Sequence, residues 1–270
     1  MLPFTRGLSV AIVPFLVVAF AVLYPWPSDT GRLFAWHIVP TMTPMVLGSA
    51  YLGGAYFFIR AASASHWHTV KGGFVPVTVF ASLLGIATIV HWTKFTHDHV
   101  AFWLWAGLYF TTPFLVLAAW LRNRRLDRRV SAEDLLLPAG ATWSLAFVGA
   151  AAVVSGALLY LWPAAAMRVW PWSLTPLTAR TLGAVLCLGV AGLGAPIDRR
   201  WAAARVPLQA ALVMVVLMFV AGLRAHAEFD AGNALTWVFL VGFIGVIVAI
   251  AVLSWRMDQR ASRMNQQALR

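Results

Sequence analysis

Of 270 residues, 61% are apolar and 11% are charged, and the mean hydropathy is +0.79. Soluble domains run at roughly 45 to 50% apolar and about 25% charged, so a single water-exposed globule is excluded. The formal charge of +11 would point to nucleic acid in a soluble chain, but in a membrane chain it reports orientation, and no nucleic-acid partner is expected.

In chain order, runs long enough to cross a bilayer, about 17 to 25 residues, fall at 8–24, 41–59, 73–92 and 100–120, then at 141–162, 179–196, 206–222 and 234–255. The alternating period of an outer-membrane barrel is missing, so the expected fold class is an all-α integral membrane protein with eight transmembrane helices. Pro14, Pro44, Pro76 and Pro113 fall within or near spans, where a bundle tolerates them. The first span follows Arg6 and carries Ala19-Phe20-Ala21, a loose imitation of a cleavage site, and is read as a retained helix. The single cysteine, Cys187, lies in an apolar run, so no intrachain disulfide can form and the thiol is read as inert.

The connecting segments alternate in charge. Fifteen Lys and Arg fall on one side: Arg6, Arg60, Lys71, the run Arg122, Arg124, Arg125, Arg128 and Arg129, then Arg199, Arg200, Arg205, Arg256, Arg260, Arg263 and Arg270. Five fall on the other: Arg32, Lys94, Arg168, Arg180 and Arg224. The positive-inside rule then predicts cytoplasmic N- and C-termini and a multi-pass protein of the cell (inner) membrane.

The two halves look related at an offset of about 134 to 136 residues. Trp26-Pro27 matches Trp162-Pro163, Thr43 with Gly48 matches Thr178 with Gly183, Trp67 matches Trp201, and Phe95 and Trp103 match Phe229 and Trp237. A parallel 4+4 duplication is therefore expected, residues 1–130 forming one four-helix half and 131–270 the other, with the pseudo-axis along the membrane normal. Ser131 with Asp134 reads as a capping box opening a short helix between them.

Unusual residues gather on the outer face, which holds five of the seven histidines and nine of the fourteen tryptophans. Trp26, Trp36, Trp92, Trp103, Trp105, Trp162, Trp170, Trp172 and Trp237 read first as headgroup-level anchors, and otherwise as the lining of a cavity for a lipid, quinone or porphyrin. His91, His97, Asp98 and His99 offer imidazole and carboxylate ligands for a metal ion or haem. Trp36, His37, Lys94, Arg224, Glu228 and Asp230 are the candidates for holding another ligand. Lys94 and Glu228, equivalent by the repeat, read first as two charges facing water, where a pair contributes little, and otherwise as a salt bridge across the outer mouth. His66 and His68, on the inner side, read as loop residues near acidic lipids.

Every Asp, Glu, Lys and Arg lies at or beyond a span end, unlike a proton relay or voltage sensor. Gly-rich phosphate loops and nucleophile-base motifs are missing too. The expectation is a non-catalytic membrane subunit or lipid-interacting protein, its partners the bilayer and a membrane subunit or second copy. One alternative is a redox protein or enzyme holding a metal or haem on the outer histidines; another is a passive carrier of a small solute. The plan is similar to the duplicated eight-helix plan of haem A synthases, but those carry paired histidines in both halves. Only His226 stands in the second half here, so the likeness covers the plan and no motif.

Overall fold

A computed structural model describes residues 1–127, 130–131 and 134–268. Arg128, Arg129 and Arg270 of the charge count lie outside the described residues. Within them the chain is all-helical, with no strand beyond an isolated antiparallel bridge between Leu136 and Arg200. Eight helices are long and apolar enough to cross a membrane. They are α1 (Pro3–Leu23), α2 (Met42–Ser63), α3 (Lys71–Val90), α4 (Val100–Asn123), α5 (Ala139–Leu161), α6 (Pro176–Leu193), α7 (Trp201–Arg224) and α8 (Ala234–Ala268).

Hydropathy finds only the part of a helix that lies in lipid. So α8 continues past 255 to Ala268 through a polar tail of good helix formers such as Arg, Gln and Met. α6 is not one regular helix: a 3-10 turn at Cys187–Gly189 separates Pro176–Leu186 from Val190–Leu193. Pro14, Pro76, Pro113 and Pro207 lie inside helices. Pro44 instead sits in the first turn of α2, where its missing N–H breaks no helical bond.

The helices pack as hairpins, α1 on α2, α3 on α4, α5 on α6 and α7 on α8. Cross-contacts of α2 with α7, α3 with α6, α2 with α6 and α3 with α7 then place these four in the centre. Burial follows, since 78% of the apolar span of α2 is covered but only 11% of that of α8. Val238, Val241 and Val248 of α8 are exposed, and apolar side chains there are suited to lipid. Between α5 and α6 the backbones nearly touch. A Cβ on Gly156 would lie 2.6 Å from the Gly183 carbonyl oxygen, and one on Gly183 equally close to that of Gly156, so only glycine permits the approach.

Alternate loops meet at opposite ends of the bundle. At the aromatic end the Thr96 N–H donates to the Ala35 carbonyl and the Asp230 N–H to the Pro171 carbonyl, both at 2.9 Å. At the arginine-rich end α1 is stitched to α4 by Asn123, which is fully buried. Its Oδ1 accepts from the Leu2 N–H at 3.1 Å and its Nδ2 donates to Thr5 Oγ1 at 2.5 Å. Beside it the Arg122 guanidinium lies 5.0 Å from the Phe4 ring centre.

The Asp134 carboxylate accepts from the Ser131 N–H at 2.8 Å, which is half of the expected capping box. No helix opens at residues 134–138, however. That segment runs beside 199–201, with the Leu137 N–H on the Arg199 carbonyl at 2.7 Å and the Trp201 N–H on that of Leu135 at 2.8 Å. Pairing with the second basic loop satisfies the backbone that a helix would have satisfied.

Candidate functional site

Two aromatic clusters close the aromatic end. Trp36 packs edge-on or tilted against Phe34, Phe95 and Trp105, with ring centres 5.2, 5.0 and 4.9 Å away. Trp172 packs in the same way against Trp170, Phe229 and Phe239, at 5.1, 5.2 and 5.8 Å. Trp36 is 3% exposed, and Trp105 and Trp172 are also buried, so these three are core residues rather than anchors. Trp26, Trp103, Trp162 and Trp237 are all more than half exposed and have the amphipathic placing of anchors. Spacing alone cannot tell the two groups apart, because both sit at helix ends. The Trp172 Nε1–H donates to Thr43 Oγ1 at 3.1 Å, whereas that of Trp36 is buried without a partner.

Around these clusters the charged candidates act as fasteners. Glu228 Oε1 accepts from the Thr41 N–H at 2.8 Å and from the Thr41 hydroxyl at 2.5 Å, and Oε2 accepts from the Met42 N–H at 2.8 Å. A carboxylate thus caps the N-terminus of α2, where the helix dipole favours negative charge. Arg224 donates to the Tyr24 carbonyl at 2.9 Å, at the C-terminus of α1, where the dipole favours a cation. Glu228 therefore turns to α2 rather than to Lys94, which is exposed. Asp230 Oδ1 accepts from the Gly232 N–H at 2.9 Å and shapes the turn before α8. His37 is exposed beside Gly31.

The four metal-ligand candidates have separate environments. His91 Nε2 lies 2.6 Å from Arg180 Nη1; since arginine only donates, this nitrogen accepts and the proton sits on Nδ1. Burial first, then the Arg180 and Lys94 charges, push the His91 pKa below its ordinary value. His99 Nδ1 accepts from the Ala101 N–H at 3.2 Å and caps α4. His97 packs 4.6 Å from the Phe102 ring and 5.1 Å from Trp92, its Nε2 buried without a partner. Asp98 is exposed. Among the described residues no three His, Cys, Asp or Glu side chains come together in a way that could hold a metal ion.

A polar cluster that sequence reasoning missed lies at the arginine-rich end. Lys71 Nζ is 2.5 Å from Asp127 and 2.8 Å from Asp198, while Arg200 Nη2 is 2.6 Å from Asp198 and 3.3 Å from Asp127. The Arg200 side chain is 2% exposed. Burial works to raise the Asp198 pKa, but hydrogen bonds from Arg200 and Lys71 outweigh it and hold the carboxyl well below its ordinary value. Asp258 of α8 accepts from Trp201 Nε1 at 3.0 Å and from Arg205 at 3.1 Å. Asp127 and Asp198 are acids embedded in basic loops, the one signal in the sequence that could have pointed here.

Also at this end, a groove of about 420 Å³ runs between the start of α5 and residues 248–260 in the middle of α8. Pro138 and Ala141 form one wall; Val248, Val252, Arg256 and Arg260, four residues apart on one helix face, form the other. Its upper part is apolar and its mouth cationic. Comparison of the chain with known protein families, with curated proteins and with solved structures finds no match.

Proposed function

We propose that this chain is a non-catalytic, lipid-interacting protein of the cell (inner) membrane, built as a parallel 4+4 duplication, with both termini and the arginine-rich end in the cytoplasm. The duplication is supported by reciprocal bonds. The Tyr24 hydroxyl donates to the Leu217 carbonyl at 2.8 Å and the Tyr160 hydroxyl to that of Leu83 at 2.7 Å. These pairs exchange at the offsets 136 and 134 read from the sequence. Trp103 Nε1 on the His97 carbonyl and Trp237 Nε1 on that of Ala231 exchange likewise, at 3.0 and 3.2 Å. Swapping α1–α4 with α5–α8 also maps the hairpins and the central cross-contacts onto themselves, α2 on α7 becoming α6 on α3.

The observation that carries the functional reading is the use made of the outer ionisable groups. Glu228, Arg224, Arg180, His91 and His99 all hold helix ends or one another, which leaves the bilayer as the main partner. A metal- or haem-bearing redox protein is the second reading, and the buried, unpartnered Nε2 of His97 favours it. Purification in mild detergent, followed by absorbance, metal analysis and mass spectrometry of everything bound, separates the two. Retained phospholipid with neither a Soret band nor stoichiometric metal is the expected result. A Soret band, or one metal equivalent lost in His97→Ala, replaces the first reading with the second. A co-purifying chain or a stable dimer would identify a protein partner, and solute flux into proteoliposomes would favour a carrier instead.

A further inference from the structure

Resting on that lipid-interacting reading and on the duplication, we infer that the groove between α5 and α8 is a binding site for one anionic phospholipid of the leaflet at the arginine-rich end. Two seams that the repeat makes equivalent are built differently. In the first half Leu2, Phe4 and Thr5 at the start of α1 meet Arg122 and Asn123 of α4, so the Leu2 N–H and the Thr5 hydroxyl are bonded across the seam and the guanidinium lies over a ring. At the same offsets the second half has Pro138, Gly140 and Ala141, and Arg256 and Met257; of these Pro138, Ala141, Arg256 and Met257 line the groove. Methionine and alanine cannot supply the amide and hydroxyl bonds, and a Cβ at Gly140 would find nothing within 4 Å. The seam stays open where its counterpart is closed.

What remains is a set of groups suited to a phosphodiester. α5 opens without a side-chain cap, and Pro138 and Ala141 at its start line the groove, so the positive end of its dipole is presented there. Arg256 and Arg260 line the same mouth and are exposed. The acids nearby face elsewhere: Asp258 is held by Trp201 and Arg205, and Asp198 by Lys71 and Arg200. From Val248 to Arg256 the helix rises about 12 Å, close to the roughly 15 Å depth of one leaflet. An acyl chain along Val248 and Val252 therefore puts its phosphate at the arginines. Basic pockets between helices on the cytoplasmic side recognise anionic headgroups in this way.

The test titrates the full-length protein in detergent with phosphatidylglycerol or phosphatidylcholine and counts bound lipid by native mass spectrometry. The wild-type protein is expected to prefer phosphatidylglycerol. Replacing both arginines, Arg256→Gln with Arg260→Gln, should weaken that binding roughly thirtyfold, the loss expected for two basic side chains at an anionic surface. Arg168→Gln, which removes one cation at the opposite end, should leave it unchanged. Rebuilding the first-half seam with Gly140→Phe, Ala141→Thr and Met257→Asn should abolish it while the helical circular dichroism is kept. Equal binding of the two lipids, or an undiminished preference in both the arginine and the seam variants, overturns the groove assignment while lipid retention elsewhere leaves the broader reading standing. A wild-type dimer that Val252→Trp dissociates assigns the groove to a second copy and overturns it too. Wild-type protein that carries haem or metal and no lipid removes the reading on which the site rests.

Discussion

Arg224 and Glu228, four residues apart at the turn between α7 and α8, hold opposite ends of two consecutive helices: the guanidinium takes the carbonyl of Tyr24, the C-cap of α1, and the carboxylate takes the first amides of α2. Each sign matches the dipole it meets. One short turn of the second half thereby fixes the first hairpin.

Glu228→Gln should accordingly destabilise the protein by about 1 to 2 kcal/mol, the range for a charged cap in a partly buried setting. Thermal unfolding in detergent measures it. An unchanged midpoint would mean that water serves the α2 amides equally well.

Tyr24→Phe and Tyr160→Phe should have closely matched effects, each about 0.6 kcal/mol, typical of a side-chain hydrogen bond between membrane helices. Because their geometries are the same within 0.1 Å, equality is the informative result. A large loss for one tyrosine and none for the other would count against quasi-equivalent halves.

Asp198→Asn should cost about 3 kcal/mol, since it removes the carboxylate that pairs at once with Lys71 and with the buried Arg200. The Asp198 carboxyl is held below its ordinary value of 3.8. Its contribution is therefore complete above that pH and is lost as the pH falls through the lower folded value. Acid unfolding curves of wild type and variant should converge at low pH and separate near neutrality; parallel curves would show that the cluster carries no charge-dependent stability.

His91 has the opposite chemistry but the same sign of pH dependence. Its pKa lies below 6.5 in the folded protein, so protonation is resisted, and stability present above 6.5 declines as the pH falls. His91→Gln, which keeps an acceptor for Arg180 but cannot protonate, should flatten part of the fall in melting temperature between pH 7.5 and 5. Retention of the full fall would place the responsible group elsewhere.

The spans were legible because twenty consecutive apolar residues have few other uses, and each predicted stretch overlaps a helix. The 3-10 turn at Cys187–Gly189 was not, because it depends on how closely α6 approaches α5, which hydropathy does not encode. The Tyr24 and Tyr160 bonds end on backbone carbonyls, which leave no mark in a sequence. Glu228 read as a charge facing water or as a partner of Lys94, and it is neither. The amides of α2 lie closer to the carboxylate and cannot be satisfied by their own helix. The Ser131–Asp134 signature formed its bond without a helix, because the neighbouring basic loop paired with that backbone first. The groove was invisible for a different reason: it is a space left between Pro138 and Ala141 of one helix start and Val248 and Val252 of another helix, and a sequence does not encode empty space.

The two-ended plan underlies the proposed function and the leaflet of the lipid site, and cysteine labelling in intact cells tests it most directly. Cys187 is buried and gives a low background. With single cysteines at Asp98 and at Arg125, a membrane-impermeant reagent added outside should label Asp98→Cys at once and Arg125→Cys only after the cells are opened. Immediate labelling at residue 125 with protection at 98 would invert the molecule and contradict the account.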